Sequence, residues 1–502
     1  MRRRGTLLWF VTASLMLLPL IATERVETGG TANIGSRLEL LVDDVLIDSM
    51  KGVARRLHSP RSAGTVLTFD KPWEGNTSWG ESVFKDGQIY RMYYMGRSDP
   101  DYARTSGLEP GEKVVPKHPG FLCYAESRDG ITWTRPSLGL QEFNGSKDNN
   151  IVAPDVASLV PFLDTNPACP PSERYKMSGL RERAGDGAWS VSLMVSGDGV
   201  HWRRLQDKPI LTRSGSAAFD GLGNAFWSEH EGCYVLYYRP GSTPGRRARS
   251  LARSTSPNFR EWSDQTLMDF GNTPLEHLYT NSVVPYFRAP HIYLGFSKRF
   301  MPWRQHRLHE DAPWPGLSEA VFMTSRDGIH WNRFMEAFIR PGRDERNWVH
   351  RTTHVSVGAL QTAADEISLY VLRHYTYPSV HMERFVLRTD GFVSVSADYK
   401  GGELITKPFI FQGDTLVLNY ETSAAGSVRV EIQDPEGRPL PGFSLEESPE
   451  IWGDEIAGTV KWKRNVTRMS PSDPEPFARL AGSPVRLRFV MKDADLYSFR
   501  FR

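Results

Sequence analysis

A seven-residue turn, Ser-Arg-Asp-Gly-Ile-Thr-Trp at Ser127–Trp133, recurs along the chain: Ser196–Trp202 reads Ser-Gly-Asp-Gly-Val-His-Trp and Ser325–Trp331 reads Ser-Arg-Asp-Gly-Ile-His-Trp. A worn copy lies between them at Ser254–Trp262, and Arg388–Phe392 keeps only the turn. With Asp129, Asp198, Ser256, Asp327 and Asp390 taken as equivalent, the intervals are 69, 58, 71 and 63 residues. Such self-similarity marks a repeat architecture, in which no unit buries its apolar face alone. Asp-Gly after a β-run is a hairpin signal, because Gly accepts φ > 0 and Asp bonds nearby backbone amides. The Trp that follows opens the next strand and offers a large apolar surface to a neighbouring unit.

Each copy follows an apolar strand, at Phe121–Glu126, Val191–Val195, Glu319–Thr324 and Met382–Leu387. Before it comes a strand rich in aromatic and β-branched residues, at Ile89–Gly96, Tyr234–Arg239, Ile292–Ser297 and Ile367–Arg373, with a weaker version at Arg174–Gly179. One unit therefore reads strand, turn, strand, link, strand, Asp-Gly turn, strand. Four strands per interval, five times over, predicts an all-β fold: a five-bladed β-propeller. The 43 Gly and 34 Pro suit so many turns.

Residues 65–400 hold this propeller. Beyond it the period stops, and 401–502 alternates strands (Thr415–Tyr420, Ser427–Gln433, Val485–Met491, Leu496–Phe501) with turns, which predicts a C-terminal β-sandwich. At the other end, residues 1–22 read as a signal peptide, positive at Met1–Arg4 and apolar over Leu7–Ala22. The expected location is secreted or periplasmic. An uncleaved N-terminal membrane anchor is the alternative, because Leu20 stands where a small residue favours cleavage. Residues 23–64 form an extension with a strand pair at Leu38–Ser49, whose Asp43, Asp44 and Asp48 read as surface turn residues rather than metal ligands.

Lys and Arg number 61 against 59 Asp and Glu, so net charge makes no case for nucleic acid or for a membrane beyond the signal segment. Cys123, Cys169 and Cys233 are odd in number and lack metal-ligand spacing, so neither a disulfide framework nor a metal centre is expected.

In a propeller the first strand of every blade lines the axis, so the polar residues that open the repeats are the ones to inspect. Two carboxyl groups across a glycosidic bond are what its cleavage normally needs. The repeat starts supply Glu81, Asp164, Asp220 and Glu276 as candidates. Trp79 and Tyr279 offer rings for stacking on sugar, and Asn166, Asn224 and Asn281 offer amides. Arg299, His350, Arg351 and His354 would either hold an anionic group of the substrate or keep the carboxyl pKa values apart. The expected partner is a carbohydrate and no cofactor is required.

The five repeats, the signal segment and the C-terminal sandwich resemble the five-bladed propeller glycosidases, meaning the invertase and fructosidase group and the arabinanase and xylosidase group. In Trp79–Tyr94, Glu81 occupies the place where those families carry the Asp that serves as nucleophile or base. Asp164-Thr-Asn-Pro167 loosely resembles their blade-two Arg-Asp-Pro signature. The phrases Leu41–Ser49, Glu142–Ile151, Glu276–Phe300 and Thr415–Gln433 are similar to secreted invertase-like propeller proteins of planctomycete-type bacteria. The resemblance implies a glycoside hydrolase acting on an oligosaccharide or polysaccharide, with Glu81 as nucleophile or base and Asp164 or Glu276 as its partner. A non-catalytic carbohydrate-binding propeller and a sugar phosphorylase are the alternatives.

Overall fold

A computed structural model describes residues 30–102, 113, 115–154, 159–183, 189–213, 223–240, 248–308, 315–463 and 476–502. Residues 1–22, the expected signal peptide, lie outside them. Five antiparallel sheets follow one another along the chain. They begin with the inner strands Trp79–Asp86, Val160–Leu163, Asn224–Ser228, His277–Tyr286 and Leu360–Ala363. The propeller of five blades is therefore present.

Its closure lay outside what a period can reveal. The outer strand of blade five is Arg61–Thr68, from the N-terminal extension, paired antiparallel with His381–Arg388. The strand before it, Val53–Leu57, pairs with Val393–Ala397, and Ile47–Lys51 pairs with Gly402–Thr406. The extension thus belongs to two bodies, closing the propeller and supplying strands to the C-terminal domain. That domain is built on two 18-residue strands, Leu416–Gln433 and Pro484–Phe501, paired antiparallel with an irregularity between Thr422 and Ser427. Ile34, Leu41 and Ile47 from the N-terminal side share one core with Leu404, Phe411, Val430 and Phe489.

The recurring turns have one geometry. The Asp129 carboxylate accepts from the backbone N–H groups of Ile131 and Thr132, both at 2.8 Å, while Ser127 Oγ accepts from Gly130 N at 2.9 Å. Asp198 and Asp327 repeat this pattern. In blade three the structure corrects the alignment: Ser256 matches Ser127, and Asn258 takes the Asp position, accepting from Arg260 N and Glu261 N. A tyrosine of the preceding blade donates to the turn carbonyl: Tyr370 to Gly130, Tyr93 to Gly199 and Tyr237 to Gly328, at 2.5, 2.7 and 2.8 Å. Gly199 is obligatory on two counts, its φ of +82° and the Tyr93 hydroxyl 2.6 Å from where a Cβ would lie. Trp133, Trp202 and Trp331 each pack edge-on against those same tyrosines. The turns are clasps between blades, at the rim.

The acidic residues of the extension are clasps too. Asp43, Asp44 and Asp48 pair with Arg326, Arg55 and Arg486. Arg326 belongs to the turn of blade four and also reaches the buried Glu39 at 2.8 Å. Burial alone would raise the Glu39 pKa, but Arg326, His291 and Arg37 outweigh it and hold the carboxyl well below its usual range. Cys123, Cys169 and Cys233 are free thiols.

Candidate active site

The inner strands are stitched to one another around the axis. Ser82 Oγ donates to Pro161 O (2.6 Å), Asn224 Nδ2 to Val283 O (2.7 Å), and Ser282 Oγ to Val355 O (2.6 Å). Val83 N donates to Val357 O and Val357 N to Glu81 O, closing blade five onto blade one. Val160, Val284 and Val357, from three blades, pack against one another. The blades approach closely here, since a Cβ on Gly80 would lie 2.2 Å from Ser356 Oγ.

Glu81 is the extra residue in a β-bulge: Gly80 pairs with Tyr94 and Ser82 with Tyr93, leaving Glu81 unmatched. Blade four has a bulge of its own, with Tyr279 and Thr280 opposite the single residue Lys298. Bulges re-aim side chains and interrupt pairing. Here they bring together Glu81, Lys298, Tyr279 and, from blade five, His354. Trp79 Nε1 donates to Glu81 Oε1 at 2.8 Å, whereas Glu81 Oε2 is buried and makes no hydrogen bond among the described residues. Burial pushes the Glu81 pKa up to about 8, opposed by the Trp79 hydrogen bond and the Lys298 charge. Such a carboxyl is largely protonated at neutral pH and can donate a proton. The Lys298 ammonium lies 5.0 Å from the Tyr279 ring centroid, and the Arg239 and Arg249 guanidiniums lie 5.4 and 5.1 Å from it. His354 Nδ1 is 3.4 Å from Thr280 Oγ1. Burial, joined by Lys298, holds the His354 pKa well below its usual value, against an opposing contact with the Gly80 backbone.

The blade-five segment leading to His354 is strained. Arg351 and Thr353 both adopt positive φ, 64° and 54°. Left-handed conformations in residues other than Gly cost about 1–3 kcal/mol each and gather at functional sites. They persist here because Ser318 Oγ accepts from Arg351 N, and Leu372 O from Thr353 N. His350 stacks on His306 with ring centroids 5.3 Å apart and also meets Tyr375, whose hydroxyl accepts from Arg351.

The other expected residues lie elsewhere. Asp164 does not head the inner strand of blade two. That strand is Val160–Leu163, so Asp164 follows it at the far end from Glu81. There it accepts from Lys176 Nζ and Tyr234 Oη, both at 2.7 Å, and Asn166 bonds the same tyrosine. Glu276 pairs with Arg299 and Arg333 across its own blade, and Arg299 is held more closely by Glu319. Asn224 is consumed by the seam between blades three and four. Asp220 lies outside the described residues, as does the side chain of Asn281. Lys298, Thr280, Arg239 and Arg249 were not expected. Lys298 adjoins Arg299 on one strand, and period two sends such neighbours to opposite faces, so choosing Arg299 selected the face turned away from Glu81.

No family model matches the chain, and no curated protein matches it. Among solved structures it is similar to a glycoside hydrolase at 13% identity and a TM-score of 0.42, covering 66% of this chain and 92% of that one. It is also similar to a beta-1,2-mannobiose phosphorylase from Listeria innocua at 10% identity and a TM-score of 0.41, over 64% of this chain and 96% of that one. A beta-fructofuranosidase of Bombyx mori matches at 8% identity and a TM-score of 0.38, over 88% and 94%.

Proposed function

We propose that this protein is an exported carbohydrate-active enzyme that cleaves glycosidic bonds at the propeller axis, with Glu81 as the proton donor. The carrying observation is the Glu81 carboxyl itself, set in a bulge, with one oxygen fixed by Trp79, the other without a hydrogen bond among the described residues, and a pKa raised to about 8. A protonated carboxyl at neutral pH can deliver its proton to the glycosidic oxygen as the bond to the anomeric carbon breaks, so that the leaving sugar departs as a neutral alcohol. Trp79 and Tyr279 supply rings against which a sugar can stack, and neutral His354 can accept or donate a hydrogen bond to a hydroxyl. In hydrolysis a second carboxylate activates the attacking water. Asp164 and Glu276 are committed to ion pairs, which leaves Asp220 of the four sequence candidates. Export rests on the apolar run Leu7–Ala22.

Phosphorolysis is the second reading, favoured by the gathering of Lys298, Arg239 and Arg249 around Tyr279 near Glu81. Phosphate is itself the nucleophile in that reaction, so one carboxyl acid suffices. Sugar release from neutral oligosaccharides, followed with and without phosphate, separates the two. Turnover without phosphate identifies a hydrolase, and strict phosphate dependence with a sugar phosphate as product identifies a phosphorylase. A Glu81→Gln enzyme that keeps full activity in either assay would sink the assignment of the acid.

A further inference from the structure

A cleft of about 540 Å³ opens between blade five and the C-terminal domain. None of Glu81, Tyr279, Lys298 and His354 lines it. Tyr497 lines it, with the His58 ring 5.2 Å away and the Arg388 guanidinium 5.0 Å from the Tyr497 centroid. Arg61, Asp365 and Glu366 come from blade five and Asp454 and Ile456 from the C-terminal domain, so the cleft exists only where the two bodies meet. Small-ligand sites have this size and favour such junctions.

The chemistry of the walls selects the ligand. Arg388 pairs with Asp454 while its Nε donates to Asn419 at 2.7 Å, and Glu366 accepts from Arg384 at 2.7 Å with Arg61 at 3.7 Å. Arg61 and Arg388 stand against Asp365, Glu366 and Asp454 in the lining, so donors and acceptors lie side by side and the one carboxylate in excess disfavours an anionic ligand. Val386, Leu387 and Ile456 add apolar strips between them. Alternating hydroxyls and C–H faces are what a neutral sugar chain offers to such a surface. Trp452, 71% exposed and two residues before Asp454, adds an aromatic plane beside the same strand.

We infer that this cleft is an accessory binding site for a neutral oligosaccharide segment, distinct from the axial site and independent of catalysis there. It would hold a glycan chain against the outside of blade five while another part of the chain, or another chain, is worked on at the axis.

The test is affinity electrophoresis of the full protein through gels containing soluble arabinan, inulin, mannan or xylan, with polygalacturonate and dextran sulfate as acidic counterparts. At least one neutral polysaccharide should retard the wild type and Glu81→Gln equally. Arg61→Ala and Asp454→Ala should weaken that retention about tenfold or more, and Trp452→Ala less. The Arg61 and Asp454 side chains are 76% and 61% exposed, so the fold should survive their loss, and thermal melts check this. Retention by no neutral polysaccharide, retention by the acidic ones alone, or retention unchanged in Arg61→Ala and Asp454→Ala would each overturn the inference. So would retention lost in Glu81→Gln and kept in the cleft variants, since the glycan would then bind only at the axis.

Discussion

Two carboxyl groups at the inner strands of neighbouring blades, one on its strand and one just past its end, have met opposite fates. Glu81 stands near the leading end of its strand, in a bulge, with one hydrogen bond from an indole and one oxygen that none of the described residues bonds. Asp164 stands just past the trailing end of its strand, saturated by an ammonium and a phenol. Both are buried, so burial does not separate them. The difference lies in how each charge is compensated. A carboxylate given a cation and donors is a structural strut, whereas one denied them rises in pKa and becomes a proton source.

The comparison breaks first on activity. Glu81→Gln keeps the shape and the Trp79 contact but has no proton to give, and turnover should fall about 10²–10⁴-fold, as measured by sugar release. Asp164→Asn should leave turnover per folded molecule near wild type. It should instead cost stability, by up to about 3–5 kcal/mol, the usual consequence of breaking a buried ion pair, because Lys176 would keep only the more distant Glu173 carboxylate, at 3.9 Å. Chemical denaturation reads that loss. Equal activity losses in the two variants would erase the distinction between the two ends of the ring.

The pH dependence sharpens it. Glu81 titrates near 8 in the fold against 4.5 for an ordinary glutamate. Between those values the unfolded chain releases a proton that the folded one keeps, so stability falls as pH rises from about 4.5 through about 8. Glu81→Gln removes that slope, and its melting temperature should overtake that of the wild type on the alkaline side. The acid form that the proposed mechanism uses disappears over the same upper limb. Lys298 opposes the shift, so Lys298→Met should push the Glu81 pKa higher and move the alkaline limb of the rate profile upward. An unmoved limb would mean that the limb does not report Glu81.

Much of this was legible before any coordinates. The Asp-Gly-x-x-Trp turns give the blade count because each is a local motif whose bonds run between residues two or three apart. Glu81, Trp79 and His354 stand out in the sequence because they open repeats, and the structure sets Trp79 Nε1 against Glu81 Oε1. The blade-three turn was misaligned by two residues because Asn258 replaces Asp, and Phe259, at φ 63°, replaces Gly. Lys298 escaped because a bulge in the partner strand, invisible to strand periodicity, decides what faces it. The boundary at residue 64 dissolved for a similar reason. Strand pairing across more than three hundred positions, as between Arg61–Thr68 and His381–Arg388, leaves no local mark.

The smallest effect belongs to the rim, where side chains should matter for stability alone. Asp129 is held at a pKa of about 2 by the backbone N–H groups of Thr132 and Ile131. Asp129→Ala removes the acceptor for both and should cost about 1 kcal/mol, as the loss of a helix-capping carboxylate does. Asp129→Asn should cost less, because Asn258 already fills the same position in blade three, bonding two backbone amides at 2.9 and 3.0 Å. The part of the difference that comes from charge is present above the ordinary aspartate pKa of 3.8 and shrinks as pH falls toward 2. Urea midpoints of the three proteins at neutral and mildly acidic pH measure it. Sugar release should be the same in all three, since the turns clasp blades and none of them touches the proposed acid, Glu81.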